Sequence, residues 1–327
     1  MPLSLDLVPF RRNRMASDDR DKRVVGRFAP SPTGRMHAGN IFSALMSWLI
    51  VKSNQGRIVL RIEDLDKDRS REEYSTQVQR DFEMLGLFWD DGPYFQHDRD
   101  EAYNKAFSAL DKEGLVYPCF CSRADLHASS APHRGEKFVY PGTCRGLSFQ
   151  QIAVKSKGRN PAWRLIVDDS TICINDLIQG EYSQKLNIDC GDFLIKRSDG
   201  AFAYQLAVVV DDAAQDVNYV IRGIDLLNST PQQAYLQKLL DFQGCSYAHI
   251  PLLVAEKDRR LSKRDHDASM DELIKRFGGA QGVLGHIAYV VGLIPDDQPC
   301  SAYELLDSFD LTRIRESWEG KIQIQWF

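Results

Sequence analysis

The stretch from Val24 to Leu49 constrains this chain more than any other. A short apolar run, Val24 to Ala29, ends in Pro30-Ser31-Pro32-Thr33-Gly34, a stiff turn that can be neither helix interior nor sheet interior. From about Ala38 onward, Ile41, Leu45, Trp48 and Leu49 recur on one helical face. A strand feeding a helix through a rigid turn is the opening of a βαβ unit. The alternation continues: Arg57 to Ile62 reads as a second strand, and Tyr74, Val78, Phe82 and Leu85 mark a second amphipathic helix. It resumes late in the chain with Ala201 to Val210 and Tyr219 to Arg222. A helix follows with Thr230 as N-cap, Pro231 at N1 and Gln233 at N3, and then a strand from Ile250 to Ala255. This pattern predicts an α/β fold on a Rossmann-type parallel sheet.

The alternation breaks at Cys119. Residues 119 to about 160 are rich in Ser, Gly, Pro and Arg and have weak periodicity, so they read as an insertion with little core of its own. The expected organisation is a basic, disordered extension over residues 1–22 and the first half of a nucleotide-binding domain over 23–118. An insertion over 119–200, the second half over 201–265 and a short helical region over 266–327 complete it. Arg11, Arg12 and Arg14 make the extension basic, and Met15 is an alternative start.

With 41 Lys and Arg against 46 Asp and Glu the net charge is −5, so an RNA partner has to meet a local basic patch. Arg123, Arg134, Lys137, Arg145, Lys155, Lys157 and Arg159 in the insertion supply one. The densest apolar run, Leu206 to Val210, stops at Asp211, far short of a membrane span. Seven cysteines, an odd number, with no secretory leader before them, point to a reducing cytoplasm. Cys119, Cys121 and Cys144 fall within 26 residues, and a structural zinc would supply the core that this polar segment lacks. His127 and His133 lie between the cysteines as possible further ligands; three free thiols without metal are the alternative.

Two clusters suit phosphate. His37-Ala38-Gly39-Asn40 opens the first helix, where unpaired N–H groups and the positive dipole end attract an anion and Gly39 permits close approach. Arg260-Leu261-Ser262-Lys263-Arg264 is a basic loop after a late strand, at the end of the sheet where ligands of such folds bind. Taken singly, the first is also accounted for by a Pro/Gly turn with a surface histidine and the second by a solvated charge run. Arg27 and Arg222, each near a strand end, suit carboxylates, because guanidinium forms bidentate, charge-assisted bonds.

Together these strings resemble the class I aminoacyl-tRNA synthetases. His37 to Asn40 is similar to the His-Ile-Gly-His motif, with Asn40 a departure from it, and Arg260 to Arg264 is similar to Lys-Met-Ser-Lys-Ser. Arg27-Phe-Ala-Pro-Ser-Pro-Thr-Gly34, Arg61-Ile-Glu63-Asp64-Leu-Asp66, Asp211-Asp212-Ala and Arg222-Gly-Ile-Asp225-Leu-Leu-Asn-Ser-Thr-Pro231 narrow this to the glutamyl/glutaminyl branch. Only 63 residues follow Arg264, which resembles the shortened members without an anticodon-binding domain. The resemblance implies activation of L-glutamate by ATP with Mg²⁺, and transfer of glutamate to the queuosine base in the anticodon stem-loop of tRNA(Asp). It implies glutamate contacts from Arg27, Phe28, Ala29, Pro30, Ser31, Glu63, Tyr204 and Arg222, with Glu63 facing the α-ammonium. ATP contacts fall to His37, Gly39, Asn40 and Lys263, with His37 and Lys263 catalytic. One structural zinc is implied on Cys119, Cys121, Cys144 and Tyr140. A cytoplasmic monomer with no membrane partner is expected. A compact glutamyl-tRNA synthetase charging a 3′ end, and an inactive zinc-stabilised RNA-binding paralogue, are the competing readings.

Overall fold

In a computed structural model, which describes residues 23–122, 125, 139–255, 259–260 and 269–326, the chain begins on a buried parallel sheet. β1 (Val25–Phe28) pairs with β2 (Arg57–Ile62) across the helix α1 (Ala38–Ser53). After α2 (Glu72–Met84), β3 (Asp91–Phe95) pairs with β2 on the far side. All three strands are parallel, the arrangement right-handed crossovers produce. Gly26 is needed where α1 crosses the sheet, because a Cβ there would meet Val51 Cγ2 at 2.3 Å. The expectation for residues 1–22 lies outside the described residues.

α3 (Asp100–Lys112) leads into the segment that interrupts the sheet. It contains β4 (Val116–Cys119), α4 (Phe149–Ser156), β5 (Ala162–Leu165), β6 (Thr171–Asp176), β7 (Gly180–Lys185), the one-turn helix α5 (Leu186–Asp189) and β8 (Phe193–Lys196). β4, β5 and β8 form an antiparallel sheet, and β6 and β7 a hairpin. The parallel fold returns with α6 (Tyr204–Ala214), β9 (Tyr219–Gly223), α7 (Thr230–Leu239), β10 (Ser246–Ile250) and β11 (Leu252–Ala255). The apolar run from Ala201 to Val210 thus lies mostly in a helix. Its run of buried residues, Leu206 to Asp212, reflects a helix packed into the insertion's core and tied to β1 and β2 through Asp212, which meets Arg27 and Arg61.

β9 pairs in parallel with β10 and lies beside β1, where Asn218 N donates to Val25 O at 3.0 Å and Val25 N to Asn218 Oδ1 at 2.9 Å. The order is therefore β3-β2-β1-β9-β10, and the direction of winding reverses between β1 and β9. That reversal leaves a crevice at the carboxyl ends of these two strands, the usual ligand position in such sheets.

The C-terminal region closes the back of the sheet. β12 (Arg259–Arg260) turns antiparallel onto β11, and α8 (Met270–Phe277), α9 (Ala280–Val290), α10 (Ala302–Asp307) and α11 (Leu311–Trp318) follow. β13 (Gln323–Gln325) then adds to β11 in parallel, so the region is not helical throughout. α1 was expected to bury one face and instead buries nearly its whole girth, Ile41 to Val51 almost without interruption. The cause is this region: Phe42 packs edge-on against Trp318 at 5.5 Å and Trp48 against Tyr303 at 5.0 Å, opposite the sheet. Among the described residues no helix is long and apolar enough to cross a membrane.

Candidate active site

The crevice at the β1/β9 reversal is a cavity of about 490 Å³. Arg27 to Pro32 at the end of β1 and beyond it, the start of α1, Glu63 after β2, Tyr204 at the start of α6, and Arg222, Gly223, Asp225 and Leu226 at the end of β9 and beyond it line it, with Ile250 to Leu253 as an apolar wall. Sequence positions 27 to 253 converge there because β1, β2, β9 and β10 all end at the same edge of one sheet, where the helix from Tyr204 also starts. All the residues expected to meet glutamate, Arg27, Phe28, Ala29, Pro30, Ser31, Glu63, Tyr204 and Arg222, line this cavity, and so do His37, Gly39 and Asn40. Asp225 joins them. Lys263 lies outside the described residues.

Two cations flank the crevice. Arg27 is 4 % exposed; its Nη1 donates to Ile221 O at 3.2 Å, and its Nε stands 3.5 Å from Asp212 Oδ1. Arg222 is also 4 % exposed, and it points in from the second strand, within β9. Its Nη1 donates to Gln233 Oε1 at 2.8 Å, its Nη2 to Thr230 Oγ1 at 2.7 Å and its Nε to His249 Nε2 at 3.1 Å. A guanidinium carries five N–H donors, so these three bonds fix its plane without using all of its hydrogens. None of the three partners is charged in this network, and among the described residues no carboxylate pairs with Arg222.

The helix after β9 differs from expectation for this reason. Thr230 is the first residue of α7 and Ser229 precedes it as N-cap. The Thr230 hydroxyl makes no cap bond because it is engaged by Arg222 and reaches Leu226 O at 3.3 Å.

Glu63 and Asp225 are the carboxyls of the cavity, and the Glu63 side chain is 9 % exposed. Burial pushes its carboxyl up, and Arg61 and Arg27 pull it back. Arg61 accepts the opposite role below the cavity floor: it donates to Asp212 Oδ1 at 2.7 Å, Gln215 Oε1 at 2.8 Å and Glu63 Oε1 at 3.3 Å. Tyr204 stands among Glu63, Arg222 and Arg27; burial, then the Glu63 charge, raise its phenol.

At the mouth of α1, His37 is the N-cap. Gly39 N donates to His37 Nδ1 at 3.2 Å, and His37 N donates to Asn40 Oδ1 at 3.2 Å, a reciprocal capping box. Asn40, the departure from the family motif, thus has a structural task in the helix start. The ring of His37 also closes over Gly39, where a Cβ would stand 3.1 Å from it.

Comparison with known proteins agrees with this geometry. The chain is 42 % identical over 303 residues to the glutamyl-Q tRNA(Asp) synthetase of Symbiobacterium thermophilum, covering 89 % of this chain and 94 % of that one. It is 41 % identical over 287 residues to the glutamyl-Q tRNA(Asp) synthetase of Nitratidesulfovibrio vulgaris, covering 84 % and 89 %. The family described as tRNA synthetases class I (E and Q), catalytic domain, matches residues 23–319. The chain belongs to this family, in its glutamyl-Q tRNA(Asp) synthetase branch. The solved glutamate tRNA ligase of Elizabethkingia meningosepticum, in complex with its amino acid, superposes with a TM-score of 0.76 at 24 % identity, over 94 % of this chain and 67 % of that one. That likeness establishes a synthetase fold.

In this synthetase the thiols of the insertion gather as their spacing predicts. The Sγ atoms of Cys119, Cys121 and Cys144 lie within 4.8 Å of one another. Cys121 and Cys144 are 3.6 Å apart, and the Tyr140 hydroxyl lies 3.4 Å from Cys119 Sγ and 3.6 Å from Cys121 Sγ. Zn–S bonds of about 2.3 Å arranged tetrahedrally give edges of about 3.8 Å, so this donor set fits zinc. These residues are also the middle of a small cluster with Tyr117 and Phe120, the only apolar core that this part of the insertion has among the described residues. Arg164 donates through Nε to Cys119 Sγ at 3.3 Å, and its guanidinium lies 3.6 Å over the Tyr140 ring. Burial alone would push the Cys119 thiol up; the bonds to Tyr140 and Arg164 outweigh it and hold the thiol down. His127 and His133 lie outside the described residues, as do Arg123, Arg134 and Lys137.

Of the remaining basic residues of the insertion, Arg145 reaches Asp192 and Val167 O, each at 3.4 Å, and Arg159 reaches Phe120 O at 3.1 Å. Lys155 and Lys157 are exposed. Sequence inspection did not single out Arg61, Gln233 or His249 as partners within the site, nor Arg164 beside the thiols. His249 and Arg164 meet their partners 27 and 45 residues away, and no local pattern marks these contacts.

Proposed function

We propose that the chain activates L-glutamate with ATP and transfers it to the queuosine base in the anticodon loop of tRNA(Asp). The observation that carries this is that one crevice gathers two buried guanidiniums, Arg27 and Arg222, with the carboxyl of Glu63. Free glutamate has two carboxylates and one ammonium, and this is their complement. Two buried cations without a shared carboxylate partner suit two anions, and burial has already raised the cost of leaving Glu63 ionised without a cation. Phe28, Ala29, Pro30, Ser31 and Tyr204 shape the same corner and orient the amino acid.

The glutamate α-carboxylate attacks the α-phosphate of ATP in line, and pyrophosphate leaves. A hydroxyl of the acceptor then attacks the acyl carbon of the adenylate, and AMP leaves. The protein supplies no nucleophile. Its contribution is to hold the reacting groups in line and to oppose the charge that grows on phosphate. His37, Gly39, Asn40 and the N-terminus of α1 meet the nucleotide, and Lys263, three positions past β12 in the sequence, meets it too. Mg²⁺ arrives with ATP and screens its phosphates. The wall from Ile250 to Leu253 suits a purine.

The anticodon stem-loop of tRNA(Asp) approaches over the insertion, whose exposed lysines offset the net charge of −5. The enzyme works as a monomer in the cytoplasm. Pyrophosphate exchange driven by glutamate alone is expected without any tRNA, and labelled glutamate is expected on the queuosine nucleotide of tRNA(Asp), not on tRNA(Asp) lacking queuosine. Exchange only with tRNA(Glu), or label on a 3′ adenosine, would replace this reading with that of a compact glutamyl-tRNA synthetase.

Cys119, Cys121, Cys144 and Tyr140 hold one structural zinc. Elemental analysis of protein purified without added metal should give about one zinc per chain, and Cys119→Ser should lose it together with the stability of the insertion. A metal-free protein with a fully folded insertion contradicts this. If His133→Ala loses the metal and Tyr140→Phe keeps it, the fourth ligand is His133.

A further inference from the structure

Behind Arg222, on the side away from the cavity, runs a chain of buried polar groups that joins the insertion hairpin to the parallel sheet. Asp176 is the last residue of β6 and His249 lies in β10; both are 0 % exposed. Asp176 Oδ1 accepts from three backbone N–H groups, those of Ile178 at 3.0 Å, Gln179 at 2.9 Å and His249 at 3.1 Å. Asp176 Oδ2 lies 2.6 Å from His249 Nδ1. His249 Nε2 lies 3.1 Å from both Arg222 Nε and Thr230 Oγ1.

The protons in this chain can be assigned from the donors and acceptors alone. Arg222 Nε carries a hydrogen and cannot accept. His249 Nε2 must therefore be bare where it faces Arg222, and the ring proton must sit on Nδ1, where Asp176 accepts it. Burial, the largest effect, lowers the His249 pKa, Arg222 pushes the same way and Asp176 opposes both, so the ring stays neutral.

We propose that Asp176 and His249 are positioning residues for the substrate-binding Arg222: Asp176 fixes the tautomer of His249, and His249 with Thr230 fixes the guanidinium plane, so that the unused Nη hydrogens face the cavity. This rests on the reading that Arg222 receives a carboxylate of glutamate. The arrangement places a structural carboxylate two residues removed from contact with substrate, and it comes from the hairpin of the insertion. Neither residue touches the cavity, so neither is a catalytic residue.

Asp176→Asn is the sharpest test, because it replaces one carboxylate oxygen by NH₂ and removes the charge with almost no change of volume. Three backbone donors retain the amide oxygen at the Oδ1 position. The NH₂ then faces His249 Nδ1, which becomes an acceptor, and the ring proton moves to Nε2, against the Arg222 Nε–H. In glutamate-dependent ATP–pyrophosphate exchange, Asp176→Asn should raise the KM for glutamate about tenfold, which is about 1.4 kcal/mol. The KM for ATP should stay within about twofold. His249→Asn retains an amide that reaches Asp176 but not Arg222 and should behave alike, whereas His249→Gln places an oxygen near the Nε2 position and should recover most of the glutamate affinity. Nitrogen-15 spectra of the histidine-labelled wild-type protein, with the His249 signals assigned by their loss in His249→Gln, should show Nδ1–H and a bare Nε2.

A normal KM for glutamate in Asp176→Asn overturns the proposal, and so does an equal rise in the KM for ATP, which would give the pair a purely structural role. An Nε2–H tautomer or an imidazolium in the wild type overturns it without any variant having to fold. If the wild-type protein shows no glutamate-dependent exchange, the substrate assignment fails instead, while the tautomer still decides whether the chain of protons exists.

Discussion

Replacing Arg222 by alanine is expected to raise the glutamate requirement of adenylate formation by at least about 100-fold and to leave the ATP requirement within a few-fold. The size follows from burial. Arg222 is 4 % exposed, and a substrate carboxylate that has left water to meet it would find no replacement donor of the same charge. Breaking one side of such a buried pair costs about 3–5 kcal/mol. Arg222→Lys should recover little, since an ammonium cannot offer a planar fork to a carboxylate while also meeting Gln233, Thr230 and His249. The fold should lose less than the activity. Among the described residues the Arg222 cation bonds only neutral groups, so its removal relieves a buried charge even as it opens space beside Tyr247, over whose ring the guanidinium lies at 5.4 Å. Glutamate-dependent pyrophosphate exchange measured against both substrates, beside a thermal melt, checks this. A variant with near-normal glutamate dependence removes Arg222 from the substrate site.

The contrast between what Arg222 does and how it is held also explains which parts of this protein were legible in its sequence. The first turn was legible because its causes are local. Pro30, Pro32 and Gly34 permit little but a stiff turn, and the strand before it and the helix after it are marked by their own periodicities. The convergence of Arg27, Glu63, Tyr204 and Arg222 was legible through motif resemblance, and the sheet makes it physical, since three of them stand at strand ends on one edge and the helix from Tyr204 starts beside them. The support behind Arg222 was not legible. His249 is 27 residues from its partner and Asp176 is 73 from His249, so no window of sequence contains the relay. Thr230 misled for a related reason: a threonine before proline is a good cap on local grounds, and here a distant arginine takes its hydroxyl. β13 escaped because Gln323 to Gln325 is short and polar, and only its pairing with β11 makes it a strand. The girth of α1 was underestimated because the helices that cover its second face come more than 200 residues later. The cysteine cluster was visible from spacing, whereas Tyr140 entered only through the family resemblance, because what brings it beside the thiols is a bridge to Gly191, 51 residues on.

The largest effect on stability is expected at Arg61, which touches no substrate atom. It is 1 % exposed on β2 and stands among Asp212, Glu63 and Asp211, at 2.7, 3.3 and 3.9 Å. Burial by itself would push its guanidinium down, and these three carboxylates, Asp212 foremost, more than reverse that. Arg27 adds a contact to Asp212 at 3.5 Å, and Arg99 bonds Asp211 at 2.9 Å, where Gln96 and Tyr103 also donate at 2.9 and 2.7 Å. Three cations therefore balance three carboxylates beneath the crevice, and the group joins β1, β2 and α6. Arg61→Met keeps most of the side-chain volume and removes one charge, leaving a buried excess of one negative charge with Gln215 and Asp212 each short of a donor. The expected cost is about 3–5 kcal/mol, as for other buried pairs broken from one side. It should appear as a lower urea midpoint with an unchanged slope. Asp212→Asn in the Arg61→Met background should recover part of the loss, because it removes the carboxylate that Arg61 neutralised; the two substitutions should be far from additive. A fall of less than about 1 kcal/mol in Arg61→Met would mean that water or Arg27 replaces it. Glutamate affinity should fall as well, for a physical reason distinct from that at Arg222: Glu63, losing the first of the cations that pull its carboxyl down, would be protonated more readily and would meet the substrate ammonium less often as an anion.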